Sequence, residues 1–143
     1  MSGIVAALKL WAAQEALKVA LAEQPELADA ATGLGHPVNV EPDHVWIAGG
    51  ATGSLVTEMS GDTAPSDETF RLTVVVFTQL ADEYDEVRDR LMGLAAGAEG
   101  ALSSAGFAAV VPAWTIPDFR LEEGTDGTYR QMSLELIVEC RCW

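Results

Sequence analysis

The residues with the means to bind or transform something are two histidines, two cysteines, two glycine-rich turns and a large excess of carboxylates. His44 alternates with Trp46 in an apolar run, which places both on one face of an extended chain. A catalytic base needs a nucleophile and an orienting partner, and neither His36 nor His44 lies near a G-x-S-x-G turn. His44 and Trp46 therefore read as a half-buried aromatic pair. Cys140 and Cys142 stand two apart, so a strand points both thiols the same way. A disulfide between them would be strained, and two thiolates without further ligands do not make a zinc site. They read as buried free thiols of a reducing compartment. Gly33-Leu34-Gly35 follows no buried strand, and Gly49-Gly50-Ala51-Thr52-Gly53-Ser54 has no lysine, so neither is equipped to cradle phosphate. Acidic runs such as Asp82-Glu83-Tyr84-Asp85-Glu86 are what a solvated helix start looks like, and no Asp-x-Asp-x-Asp-Gly calcium loop occurs. The expectation is a chain with no catalytic residues, no metal and no cofactor.

Charge narrows the partners. The 143 residues carry 22 acidic against 8 basic side chains, a formal net charge of -14. Such a field repels phosphate backbones, which argues against reading or wrapping DNA. It suits either simple solubility or a surface that nucleic acid passes without sticking. The N-terminal apolar run is interrupted by Lys9, Gln14, Glu15 and Lys18 well short of ~20 residues, so neither a secretory signal nor a membrane span is expected.

The elements that must position these residues follow from periodicity. Residues 68–79 read as the central strand, with Phe70, Leu72, Val74 and Val76 on one face and Arg71, Thr73, Val75 and Phe77 on the other. A helix follows, capped by Asp82 and stopped by Gly106, with Tyr84, Val87, Leu91, Leu94, Ala98, Ala101 and Leu102 in one apolar stripe. The first helix is expected over residues 2–23. Ile4, Val5, Leu8, Trp11, Ala12 and Val19 form the face that packs on the sheet, while Leu10, Leu17 and Leu21 form a second stripe roughly opposite. That second stripe is covered either by the segment around Leu27 or by a neighbouring subunit.

Residues 24–37 read as a loop, Val38-Asn39-Val40 as a short strand, and His44 to Ala48 as another. Residues 54–59 and the central strand make a long antiparallel hairpin around a polar loop, 60–67. Residues 107–116 read as a strand interrupted by Pro112 and ending near Pro117, a proline that calls for an edge position or a bulge. A second acidic loop spans 118–128, and residues 131–143 form the best alternating strand. The pattern predicts one α+β domain over 1–143. It is a single mixed, mostly antiparallel sheet with two main helices on one face and a long β-hairpin.

Several phrases together resemble the tail terminator (tail completion) proteins of long-tailed bacteriophages. They are Pro25-Glu26-Leu27 after the first helix, Val45-Trp46-Ile47-Ala48-Gly49, and the strand phrase Asp67-Glu68-Thr69-Phe70-Arg71-Leu72-Thr73-Val74-Val75-Val76. The helix from Tyr84 to Leu102 with Val87-Arg88 and Glu99, and the terminal strand Tyr129 to Trp143, complete the set. The resemblance implies a virion structural protein, not an enzyme, at the tail–neck junction and made in the host cytoplasm. It implies a homohexameric ring that caps the tail tube, ends its polymerisation and joins it to the head-side neck. The major tail tube protein and a head-completion protein would be its partners, with DNA passing through the lumen unbound and no membrane involved. On that reading Leu10, Leu17 and Leu21 are candidates for the subunit interface. Glu58, Asp62, Asp67 and Glu68 on the hairpin, with Glu122, Glu123 and Asp126 in the second loop, are candidates for the lumen or for stacking against neighbouring rings. Another neck, head-completion or tube-like ring subunit, or a non-viral α+β binding module or small enzyme, are the alternatives.

Overall fold

Fifteen consecutive residues of alternating character make the strand on which the rest of the chain is hung. A computed structural model describes residues 8–35, 42–57, 66–81 and 83–143. Helix α1 (Lys9–Glu23) and a 3-10 turn (Pro25–Leu27) come first. Strands β1 (Ala31–Leu34), β2 (Asp43–Ile47), β3 (Thr52–Thr57) and β4 (Ser66–Leu80) follow. Then come α2 (Tyr84–Leu102), the short α3 (Ala105–Ala108), and the pair β5 (Ala113–Asp126) and β6 (Tyr129–Cys142). The strands form one six-stranded mixed sheet in the order β1-β2-β4-β6-β5, with β3 also paired to β4. Only β1 and β2 run parallel. β2 and β3 lie end to end along β4, which pairs through Val74 to Thr78 with one and through Ser66 to Arg71 with the other. The fold is thus α+β with a single sheet, as the periodicity predicts.

The core forms where the alternating strands meet helical stripes. Phe70, Leu72, Val74 and Val76 of β4, Val45 and Ile47 of β2, and Leu136 and Val138 of β6 are buried beneath Val87, Leu91, Leu94 and Ala98 of α2. Gly97 lets the 3-10 turn press against α2, since a Cβ there would stand 2.7 Å from Leu27 Cδ2. Tyr84 is the one expected member of the α2 stripe that is exposed.

Helix α1 packs the other way round from the expectation. Leu17 and Leu21 are fully buried beside Ala13 and Ala20, and Leu10 packs against the same cluster. Trp11 (50 % exposed) and Val19 (48 %) face outward. The apolar residues of this helix lie all round it, so periodicity defines stripes without deciding between them. Packing favours the face that stacks three Leu one and two turns apart and meets the buried Leu27 beyond.

Four further expectations are corrected. The loop over 24–37 contains β1, which extends the sheet in parallel beyond β2; Val38-Asn39-Val40 lies outside the described residues. The strand expected over 107–116 begins only at Ala113. Before it the Ser104 hydroxyl accepts the Phe107 N–H at 3.3 Å and caps α3, whose turn buries Phe107. Gly106 accordingly sits inside α3, while α2 ends at Leu102. Asp82 also lies outside the described residues, and the residue preceding α2 is Glu83, whose side chain makes no cap. Finally, 118–128 is no loop: it forms most of β5 and the two-residue turn into β6. Gly127 (φ 62°) supplies the positive φ that such a turn requires. Pro117 falls at the register shift between Thr115 and Asp118, on a strand at the sheet's edge, as a proline in a sheet must.

Candidate assembly surfaces

Strand alternation assigns every β5 residue to one of two faces. Phe119 and Leu121 pair with Leu136 and Leu134, which are core-facing, so they lie on the helix side of the sheet. Helix α2 packs on β4 and β6, and α1 on β1, β2 and β4; neither covers β5. Phe119 is consequently 72 % exposed and Leu121 49 %. Beside them stands a flank of α2. Arg90 reaches back toward β2, whereas the Tyr84 hydroxyl donates to Glu123 Oε1 at 2.5 Å. The Tyr84 side of α2, with Arg88 and Met92 (61 % exposed) half a turn round from Arg90, therefore overlooks β5. At the hairpin end Tyr84, Glu123, Thr125, Arg130 and Met132 line an open hollow of about 230 Å³.

The opposite face of the sheet carries no helix among the described residues. One end of it is aromatic: His44 stacks on Phe77 with centroids 5.9 Å apart and meets Trp46 edge-on at 6.1 Å, beside Val75. The expected His44–Trp46 pair is therefore present, with Phe77 as a third ring. The other end is a set of ion pairs. Arg71 binds Glu139 at 3.0 Å and Arg141 binds Asp67 at 3.3 Å, and Arg141 also lies 5.6 Å over the ring of Trp143. Arg120 binds Glu122 at 2.5 Å. The carboxylates on this face (Asp67, Asp118, Glu122, Glu135, Glu139) outnumber the guanidinium groups (Arg71, Arg120, Arg141), so its net sign is negative. Exposed pairs of this kind add little stability. They set the charge of the face.

The carboxylates singled out in the sequence are not one cluster. Glu58 and Asp62 lie outside the described residues. Asp67 is on the open face, held by Arg141. Glu68 is buried on the helix side, where it accepts the backbone N–H groups of Lys9 and Leu10 at 2.7 and 2.8 Å. It closes the N-terminus of α1 and presents almost no charge at the surface. Glu122 is on the open face and Glu123 on the helix side, because adjacent strand residues point apart. Asp126 ends β5 opposite Tyr129. Leu17 and Leu21 have no exposed surface, so they hold α1 to the sheet and are not themselves an interface; Leu10 is half-buried against the same core.

Two features escaped the sequence reading. Asp43 is buried and accepts from Thr78 Oγ1 at 2.7 Å and from Arg90, Nε at 2.8 Å and Nη2 closer still, tying β2 to α2. The hydrogen bond to Asp43 raises the Arg90 pKa further, so this guanidinium stays charged. The signal was a lone Asp opening an apolar strand. The Phe119–Leu121 strip was the second. Its signal was the period-two order Phe119-Arg120-Leu121-Glu122, hidden in a charged stretch. Cys140 and Cys142 are both buried and free. Burial pushes the Cys140 thiol up to about 12 and raises that of Cys142 too, so neither is a ready nucleophile. Among the described residues no three His, Cys, Asp or Glu side chains converge to hold a metal ion, and no helix is long and apolar enough to cross a membrane.

No family model and no curated protein matches the chain. Its fold does have a full-length counterpart among solved structures. A chain of the virion of the native gene transfer agent (GTA) particle superposes with a TM-score of 0.54 at 14 % sequence identity, over 99 % of this chain and 98 % of that one. At this identity the likeness is one of fold. It spans both chains nearly end to end.

Proposed function

We propose that this protein is a structural component of a phage-like virion, a tail terminator that assembles as a homohexameric ring. The ring caps the tail tube at the tail–neck junction, ends its polymerisation and presents its other side to a head-completion protein. The observation that carries the reading is the end-to-end fold likeness to a chain of a phage-like virion particle. That particle's name gives only the virion class; the terminator role rests on the sequence phrases described above. Two features of the molecule support assembly as its business. The hairpin edge leaves Phe119 and Leu121 bare, and large apolar side chains at a sheet edge call for a cover. The open face is negatively charged, so DNA moving past it finds no phosphate-binding surface. The chemistry is mechanical: the chain binds copies of itself and its neighbours and transforms nothing.

The test is to add the purified protein to polymerising tail tubes of the same virus and measure tube length. Tubes that stop, with this protein as a ring at one end, establish the terminator. Tubes that incorporate it along their length make it a tube-like subunit. Binding only to head-completion protein makes it a neck subunit.

A further inference from the structure

We propose that the bare edge at β5 is a socket for helix α1 of a second copy of the same chain. The proposal rests on the ring reading and says which surfaces close the ring. Among the described residues the helix layer over the sheet is incomplete at β5. α1 covers the β1–β2 side and α2 covers β4 and β6, while no described helix lies above β5. A neighbour's α1, laid beside α2, would occupy the vacant position and cover Phe119, Leu121 and Met92. The surface α1 would bring is ready for this. Trp11, Val19, Ala12 and Ala22 lie on the side of α1 away from its own core, flanking the exposed Glu15–Lys18 pair.

Size and charge both point to another copy as the occupant. The exposed parts of Trp11, Val19, Met92, Phe119 and Leu121 amount to something on the order of 500 Å² of apolar surface. That is about half of the non-polar area in an interface of standard size. The chain has two lysines in all, Lys9 and Lys18, and both are exposed on α1, which is neutral overall in a protein of charge -14. The socket is rimmed by Asp85, Asp89 and Glu123, with Arg88 held between the first two at 3.6 and 3.8 Å. A helix that is neutral overall, and that carries both lysines, thus meets an acidic rim on the next copy, which removes much of the like-charge repulsion that opposes self-association. Plug and socket lie at opposite sides of the sheet. A contact between them is head-to-tail, the kind that closes rings when the rotation fits.

The experiment links the two surfaces. Val19→Cys and Phe119→Cys are made as separate chains and mixed under mild oxidation; native Cys140 and Cys142, buried with raised pKa values, do not compete. The expected result is a mixed dimer several-fold more abundant than either homodimer, and a ladder of linked oligomers from a chain carrying both substitutions. In parallel, Trp11→Glu and Phe119→Glu raise the self-association Kd by roughly tenfold or more with the fold unchanged, since each residue is at least half exposed. No excess of mixed dimer, while the unaltered chain still forms a closed oligomer, overturns the plug-and-socket contact and leaves the ring. Linking without assembly of the unaltered chain keeps the contact and overturns the ring. Neither linking nor assembly overturns both.

Discussion

Glu68, in the middle of the sheet, reaches across 59 residues of sequence to accept the N–H of Lys9 at 2.7 Å, and its second oxygen takes the N–H of Leu10. Helix α1 has no side-chain cap of its own, because Leu8 stands at the capping position. A helix start needs partners for its unpaired N–H groups and favours negative charge. Glu68 supplies both and pins the helix to β4 at the same time.

Removing the carboxylate should therefore loosen α1 in particular. Glu68→Gln keeps one acceptor and is expected to cost about 1–2 kcal/mol, and Glu68→Ala about 2–3 kcal/mol with two partly buried N–H groups left without their carboxylate partner. Urea denaturation gives the totals, and hydrogen exchange should show the loss concentrated at the start of α1. Unchanged protection there would contradict this role.

The Asp43–Arg90 contact ties β2 to α2 from a buried carboxylate and a half-exposed guanidinium. Arg90→Ala should cost more than an exposed pair would, on the order of 2–4 kcal/mol, because Asp43 keeps only the Thr78 hydroxyl as partner. Asp43→Asn, which removes the charge and keeps an acceptor, should recover part of that loss in an Arg90→Ala background. A double-mutant cycle reads the coupling. Additive effects would mean the two residues stabilise the fold independently.

The two faces of α1 make opposite predictions. Leu17→Asp puts a charge into the core and should leave little folded protein, given that domains have only ~5–15 kcal/mol of stability. Val19→Asp should fold normally, since the side chain is half exposed. Circular dichroism of the two purified variants decides it, and a folded Leu17→Asp chain would mean that Leu17 does not face the core.

What the sequence made legible follows a physical pattern. β4 and α2 each have one apolar face and one polar or mixed face, so their periods declare both element and orientation, and Val74 and Leu91 sit where expected. α1 is apolar nearly all round, so its stripes were visible but their roles were exchanged. Ala108-Ala109-Val110-Val111 looks like a strand in composition, yet a local cap at Ser104 and the burial of Phe107 turn the chain as α3. The charged residues of β5 disguised a strand because both faces of its 118–125 stretch are solvent-exposed, and the hydrophobic alternation there was down to Phe119 and Leu121. Glu68 was singled out for its charge, but its role depends on a helix far away in sequence and could not be read from its neighbours.

The buried thiols give a prediction for alkaline pH. In the folded chain burial holds the Cys140 pKa near 12, above its ordinary value of 9.0. The unfolded chain therefore ionises first as pH rises. The stabilisation is complete below pH ~9, where both states keep the proton, and is lost progressively toward about 12. Denaturation midpoints should fall more steeply between pH 8 and 10.5 for the natural chain than for Cys140→Ala. Parallel slopes would mean the thiol ionises as readily folded as unfolded.

The central claim is a ring of identical subunits, and the native mass of the purified protein over a wide range of concentration tests it most directly. The account predicts a closed oligomer of six copies, reached from monomer as concentration rises, with no stable dimer on the way because a head-to-tail contact leaves both ends open. A stable two-fold dimer that grows no further would contradict it.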